Sequence, residues 1–131
     1  MTYSAQTNRQ QYLSDSVGTA SPARLVTMLY DRLALDLLRA EQALAAASGG
    51  PGDASSALVH AQDIVTELLA ALDVESWSGG PGLAGLYTFL LKELIAANVQ
   101  RDADRVASCR RLVEPLREAW HEAARSAVGA A

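Results

Sequence analysis

Ser21-Pro22-Ala-Arg-Leu25-Val26-Thr-Met28-Leu29-Tyr30-Asp31-Arg-Leu33-Ala-Leu35-Asp-Leu37-Leu38-Arg-Ala-Glu-Gln-Ala-Leu44-Ala-Ala-Ala47 begins with a helix start and continues as one long apolar helix. The Ser21 hydroxyl suits an N-cap, because it can accept a hydrogen bond from one of the first-turn N–H groups that have no partner within the helix. Pro22 then falls at the first helical position, where its missing N–H costs nothing and its fixed φ is already helical. Val26, Leu29, Leu33, Leu37 and Leu44 line one stripe, and Leu25, Met28, Leu35 and Leu38 run beside it. That spread is wider than one seam, so this helix is expected to be covered on more than one side.

Three more helices can be read outward from it. Ser48-Gly-Gly-Pro-Gly52 stops the first helix, since Gly and Pro break helices for backbone reasons. Asp53 is placed to cap the second, along which Leu58, Ala61, Val65, Leu68 and Leu72 recur at helical spacing. Its other charged residues are Asp63, Glu67 and Asp73, so its exposed side should be acidic. After Ser78-Gly-Gly-Pro-Gly82, a third helix carries Leu83, Leu86, Tyr87, Leu90, Leu91, Leu94 and Ile95 in an almost continuous apolar band. Asp102 can cap a fourth, with Val106, Cys109, Val113, Leu116 and Trp120 in step and Pro115 expected to kink it. Short links between long helices favour an antiparallel up-and-down bundle. The expectation is therefore an all-α four-helix bundle with helices near 22–47, 53–74, 82–100 and 103–127 and no strand. Residues 1–131 read as a single domain, with 21–128 in the bundle and 1–20 as a loosely packed N-terminal arm.

Composition supports helices. Half of the residues are apolar but only 5% are aromatic, which suits close-packed helices better than a sheet. The net charge of −4 argues against a nucleic-acid partner, which would call for a basic patch. Ten of the eleven basic residues are scattered Arg and only Lys92 is Lys, so no such patch is visible. Cys109, the only cysteine, lies in step with Val106 and Val113 and reads as a buried thiol rather than a nucleophile. Residues 1–11 lack the apolar centre of a signal peptide, and no apolar run approaches the ~20 residues of a membrane span. A cytoplasmic protein without membrane insertion is expected.

The sequence offers little chemistry. Glu118-Ala-Trp-His121 has the Glu-x-x-His spacing of di-iron bundles, but those sites need a second such pair. The other histidine, His60, has Ala57 three residues before it. A phosphorelay would need one solvated His, yet neither His60 nor His121 has the Lys and Gly neighbours expected there. The Gly-rich loops follow helices rather than strands, which speaks against phosphate cradling. The reading is a non-enzymatic protein with no cofactor or metal, and what remains is binding. The third helix is apolar nearly all round. Leu83, Leu86, Leu90 and Leu94 can be core, while Tyr87, Leu91 or Ile95 can line a groove for an amphipathic partner helix. Met28 and Tyr30 on the first helix join them as candidate partner-binding residues, Tyr because it offers large contact area with a polar tip. Tyr12 and Val17 are candidates too, as apolar residues on a segment without helical period.

The ordered set Tyr12-x4-Val17-x-Thr19-Ala20-Ser21-Pro22-x2-Leu25-x2-Met28-Leu29-Tyr30-Asp31 resembles the N-terminal signature of the flagellar secretion chaperone FliS family. Ala61-Gln62-x-Ile64-Val65-x-Glu67-Leu68, Leu86-Tyr87-x2-Leu90, Leu94-x2-Ala97-Asn98, Asp102 and Leu116-Arg-Glu-Ala-Trp120 continue it. Arg32 departs from it, standing where the family commonly has Gly after Tyr-Asp. The resemblance implies a helical bundle whose partner is the C-terminal segment of flagellin, with flagellar export-gate components as further partners. It also implies that the chaperone prevents premature polymerisation and keeps the client competent for type III secretion. The alternative is a helical adaptor, either dimerising through its apolar stripe or docking a folded partner. A monomer and a weak dimer both fit the sequence.

Overall fold

A computed structural model describes residues 22–46, 51–75 and 78–130. Tyr12, Val17, the Ser21 cap and the rest of the expected arm lie outside these residues. Among the described residues there are four helices and no strand: α1 (Pro22–Ala45), α2 (Pro51–Ala71), α3 (Gly80–Gln100) and α4 (Ala103–Ala130). Each helix touches its two neighbours in sequence order, and α4 returns to α1, so the four stand at the corners of a square.

Side-chain pairs give the directions. Asp31 and Glu41 of α1 meet Arg117 and Arg110 of α4, so rising numbers on one helix meet falling numbers on the other. Ser55 meets Asn98 between α2 and α3, and Glu93 meets Arg105 between α3 and α4, with the same antiparallel sense.

Two helix starts differ from expectation. In both Gly-Gly-Pro-Gly repeats the proline belongs to the next helix: α2 opens on Pro51, and α3 opens on Gly80 with Pro81 in its first turn. Asp53 is therefore a first-turn acid, favourable at the positive end of the helix, and not the cap. Gly80 is required for its size, because a Cβ there would lie 2.3 Å from the Val74 carbonyl oxygen. Asp102 does cap α4, accepting a hydrogen bond from the Arg105 N–H at 3.1 Å. The preceding Arg101 takes the left-handed conformation (φ 56°) that ends α3. The helix continues through Pro115, which is exposed.

The core is aliphatic and drawn from all four helices. Leu33, Leu37, Leu58, Val65, Leu90, Leu94, Val106 and Val113 are fully buried, with Cys109 among them. Burial pushes the Cys109 thiol up to about 11, so it stays protonated. Leu29, expected on the core stripe with Leu33 and Leu37, is only partly buried, and the neighbouring row of α1 departs further. Leu25, Met28, Leu35 and Leu38 are exposed, so among the described residues α1 is not covered on that side.

Ion pairs strap α1 to its neighbours. Asp31 accepts hydrogen bonds from Arg117 and His121 of α4, each at 2.7 Å. Burial works against its ionisation, but these hydrogen bonds outweigh it and hold the carboxyl below the usual range. A depressed folded-state pKa gives stability that is fully present above the unfolded value of about 4 and lost as pH falls through the folded value. Asp31→Asn should therefore lower the melting temperature modestly between pH 5 and 7. The difference from the parent should shrink as the pH falls below about 4 through the folded value, as thermal melts across that range would show.

Candidate functional site

Of the four helix contacts, that between α3 and α4 is the thinnest. The reason lies in the residues: Gly79 and Gly82 on one wall and Ala119 and Ala123 on the other supply no side chains to fill the gap. What remains is a groove of about 480 Å³, completed by Leu83 and Leu86 of α3 and Leu116 and Trp120 of α4. None of these residues is charged.

The floor of the groove is fixed from below. The Trp120 ring lies 6.3 Å from that of Tyr30, tilted by 32°. The Tyr30 hydroxyl shares a hydrogen bond with that of Tyr87, diagonally across the bundle from α1 to α3. Burial pushes both phenols up, so the pair is neutral and each hydroxyl satisfies the other in a site away from water. The groove floor is thereby tied to three helices at once.

Beyond the groove the apolar strip continues along the same two helices. The Glu93–Arg105 pair, at 3.0 Å, sets the α3/α4 register, and in that register Phe89 and Leu112 stand within one turn of each other. Phe89 is 48% exposed and Leu112 41%. The ion pair then closes the strip at its far end, with Arg105 also held by Asp102.

The expected site residues fall in three places. Tyr30 and Tyr87 are buried and bonded to one another, so in this structure they support the groove instead of facing a partner. Leu91 is half-buried and Ile95 exposed, on the flank of α3 that faces α2, close to the exposed Val99. Met28 lies on the outer face of α1, apart from both. Tyr12 and Val17 lie outside the described residues. Asn98, near the C-terminal end of α3, donates to the Ser55 hydroxyl of α2 at 3.3 Å. The sequence reading missed Phe89, Leu112, Leu116 and Trp120 as groove residues. Four small residues facing each other in pairs were the available signal.

A second cavity of about 510 Å³ lies between α1 and α2 and is polar. Its central residue, Asp36, is buried and paired with His60 of α2 and Arg32 of α1. Both histidines thus serve α1 carboxylates, and Glu118 and His121 do not pair. Among the described residues no three metal-ligating side chains converge.

One expectation about membranes needs amending. Lys92 and Glu93 interrupt the apolar run of α3, yet at 21 residues and mean hydropathy 1.2 this helix is long and apolar enough to span a bilayer. Gly80, Tyr87, Leu90, Leu94 and Ala97 bury one side of it against the bundle, which is the pattern of a core helix. Even so, only 28% of its most apolar window is buried, so α3 keeps apolar surface on two flanks.

Residues 4–127 match the sequence profile of the family described as flagellar protein FliS. The chain is also similar to the flagellar secretion chaperone FliS of Bacillus subtilis (strain 168), with 28% identity over 115 residues, covering 88% of this chain and 84% of the relative.

Proposed function

The chain belongs to the FliS family of flagellar secretion chaperones, which are not enzymes, and we propose that its client is the C-terminal segment of flagellin, held in the α3/α4 groove. The observation that carries this reading is the groove itself: an uncharged channel, wide enough for a row of apolar side chains, running on to exposed Phe89 and Leu112. Its small-residue walls allow a helix backbone to approach closely, as helix-in-groove recognition requires. A client disordered before binding gains apolar burial there and loses chain entropy, so binding and folding are coupled. Covering the client's apolar stripe would block premature polymerisation and keep the chain competent for export, with no nucleotide consumed.

Leu91 and Ile95 on the opposite flank of α3 offer a second contact for a client long enough to pass round the helix. The arm has a role in the same reading. Tyr30 lies against Trp120, so α1 begins at the groove end of the bundle. Tyr12 and Val17 can therefore cover the groove in the free chaperone and be displaced by the client. The setting is the cytoplasm, with components of the flagellar export gate as later partners.

Calorimetry of the whole chain with a peptide of the organism's own flagellin C-terminus tests the proposal. A dissociation constant below about ten micromolar with a large negative heat-capacity change is expected, the signature of apolar burial coupled to ordering. No binding at tens of micromolar would remove the client assignment.

A further inference from the structure

We propose that the outer face of the α1/α2 pair is a self-complementary surface on which a second copy of this chain docks. The face is apart from the client groove, and its charges are sorted by helix. On α1 the acids Asp31, Asp36 and Glu41 are all engaged with α4 or α2, while the exposed charges are Arg24, Arg32 and Arg39. On α2 the exposed acids are Asp53, Asp63 and Glu67, and the helix contains no Lys or Arg. Its one other titratable group, His60, is occupied by Asp36.

The basic side also carries the apolar surface. Leu25, Met28 and Leu35 are 44%, 50% and 38% exposed, and with Arg32 and Arg39 they recur at the alternating three- and four-residue steps of a coiled-coil seam. A seam of Leu, Met, Arg, Leu and Arg needs a partner that brings carboxylates to the arginines. Packing α1 on the α1 of another copy would set Arg32 and Arg39 against themselves. Packing it on the α2 of another copy answers Arg32 with Asp63 and brings Asp53 within one turn of Arg39.

Symmetry makes this arrangement closed. A two-fold axis parallel to the bundle places α1 of each copy on α2 of the other, so the contact occurs twice and ends in a dimer. Such an axis leaves every residue at its own height. Within one copy the Asp36–His60 pair sets the α1/α2 register, and in it Arg32 stands level with Asp63. Across the axis Arg32 of one copy therefore meets Asp63 of the other, with Glu67 one turn further along. Arg32 keeps one side on Asp36, at 3.3 Å, and its side chain is still 49% exposed, which leaves donors for the second carboxylate. The contact is small and charge-dependent, so it should be weak and weaken further with salt.

Sedimentation equilibrium of the whole chain over a wide concentration range provides the test. At low salt the mass should rise from 13.9 kDa towards twice that value at high micromolar concentration, and fall back in high salt. Asp53→Arg with Glu67→Arg makes α2 basic at the levels of Arg39 and Met28 while leaving Asp63 for Arg32, and Met28→Glu with Arg39→Glu makes the matching α1 positions acidic while sparing Arg32 on Asp36. Each variant alone should lose at least tenfold in association, with its helix content intact by circular dichroism. Mixing the two should restore the heavier species, because both halves of the contact then join unlike charges. Three outcomes overturn the proposal. One is a parent chain that stays at 13.9 kDa throughout, as it would if residues 1–21 of the same chain covered the face. Another is a D53R/E67R variant that associates as well as the parent. The third is a mixture that stays monomeric.

Discussion

Gly82→Trp is expected to cost the flagellin tail peptide about a hundredfold or more in affinity while leaving the free chain as stable as before. A Cβ at Gly82 meets nothing within 4 Å, so a side chain there can enter the groove without disturbing the bundle. The position lies in the first turn of α3, where replacing Gly removes a helix penalty of up to about 1 kcal/mol. An indole at that point occupies the space between Leu83, Leu86 and Trp120 that the client's anchor would take. A hundredfold is about 2.8 kcal/mol, the loss typical of one central anchor. Gly80→Ala is the contrasting control, since its Cβ would strike the Val74 carbonyl and the chain itself should lose stability. Calorimetry and thermal melts on both variants separate blockage from unfolding. Unchanged affinity in the Gly82→Trp protein would take the client away from the α3/α4 groove.

The bundle was legible because its signals are local and repeated. Apolar residues at three- and four-residue steps gave all four helices, and the Asp102 cap was readable from a single side chain. Where the reading slipped, the deciding fact was a partner beyond the reach of local pattern. Periodicity says that Leu25, Met28, Leu35 and Leu38 lie together on α1, but not whether another helix covers them, and among the described residues none does. Tyr30 and Tyr87 looked like interface residues because a phenol suits a half-wet site. Separated by 57 positions, they instead satisfy each other, a pairing that no local pattern reveals. The histidines show the same limit. The pairing of His60 and His121 with two carboxylates of α1 depends on which faces the helices present to each other. The groove was hardest to see, because it is made by what Gly79, Gly82, Ala119 and Ala123 lack. Small residues leave no mark on a search for apolar stripes.

Three consecutive residues of α3 offer the sharpest separation of fold from function. Leu90 is 1% exposed in the centre of the core, so Leu90→Ala should cost about 2–5 kcal/mol through lost burial and the cavity left behind. Phe89, one position earlier, points away from the core and stands 48% exposed on the strip that continues the groove. Its truncation removes surface that already touches water, so Phe89→Ala should change stability by less than about 1 kcal/mol. The same change should weaken the tail peptide at least tenfold, because Phe89 offers the largest apolar side chain beyond the groove mouth. Leu91, on the other flank, packs partly against the core and should fall between the two in stability. Urea denaturation of the three variants, each paired with a peptide titration, gives the two readings independently. If Phe89→Ala destabilises as much as Leu90→Ala, the face of α3 assigned to the client is core. If it leaves both stability and affinity unchanged, the strip beyond the groove is only exposed surface, and the client ends where Leu86 and Leu116 do.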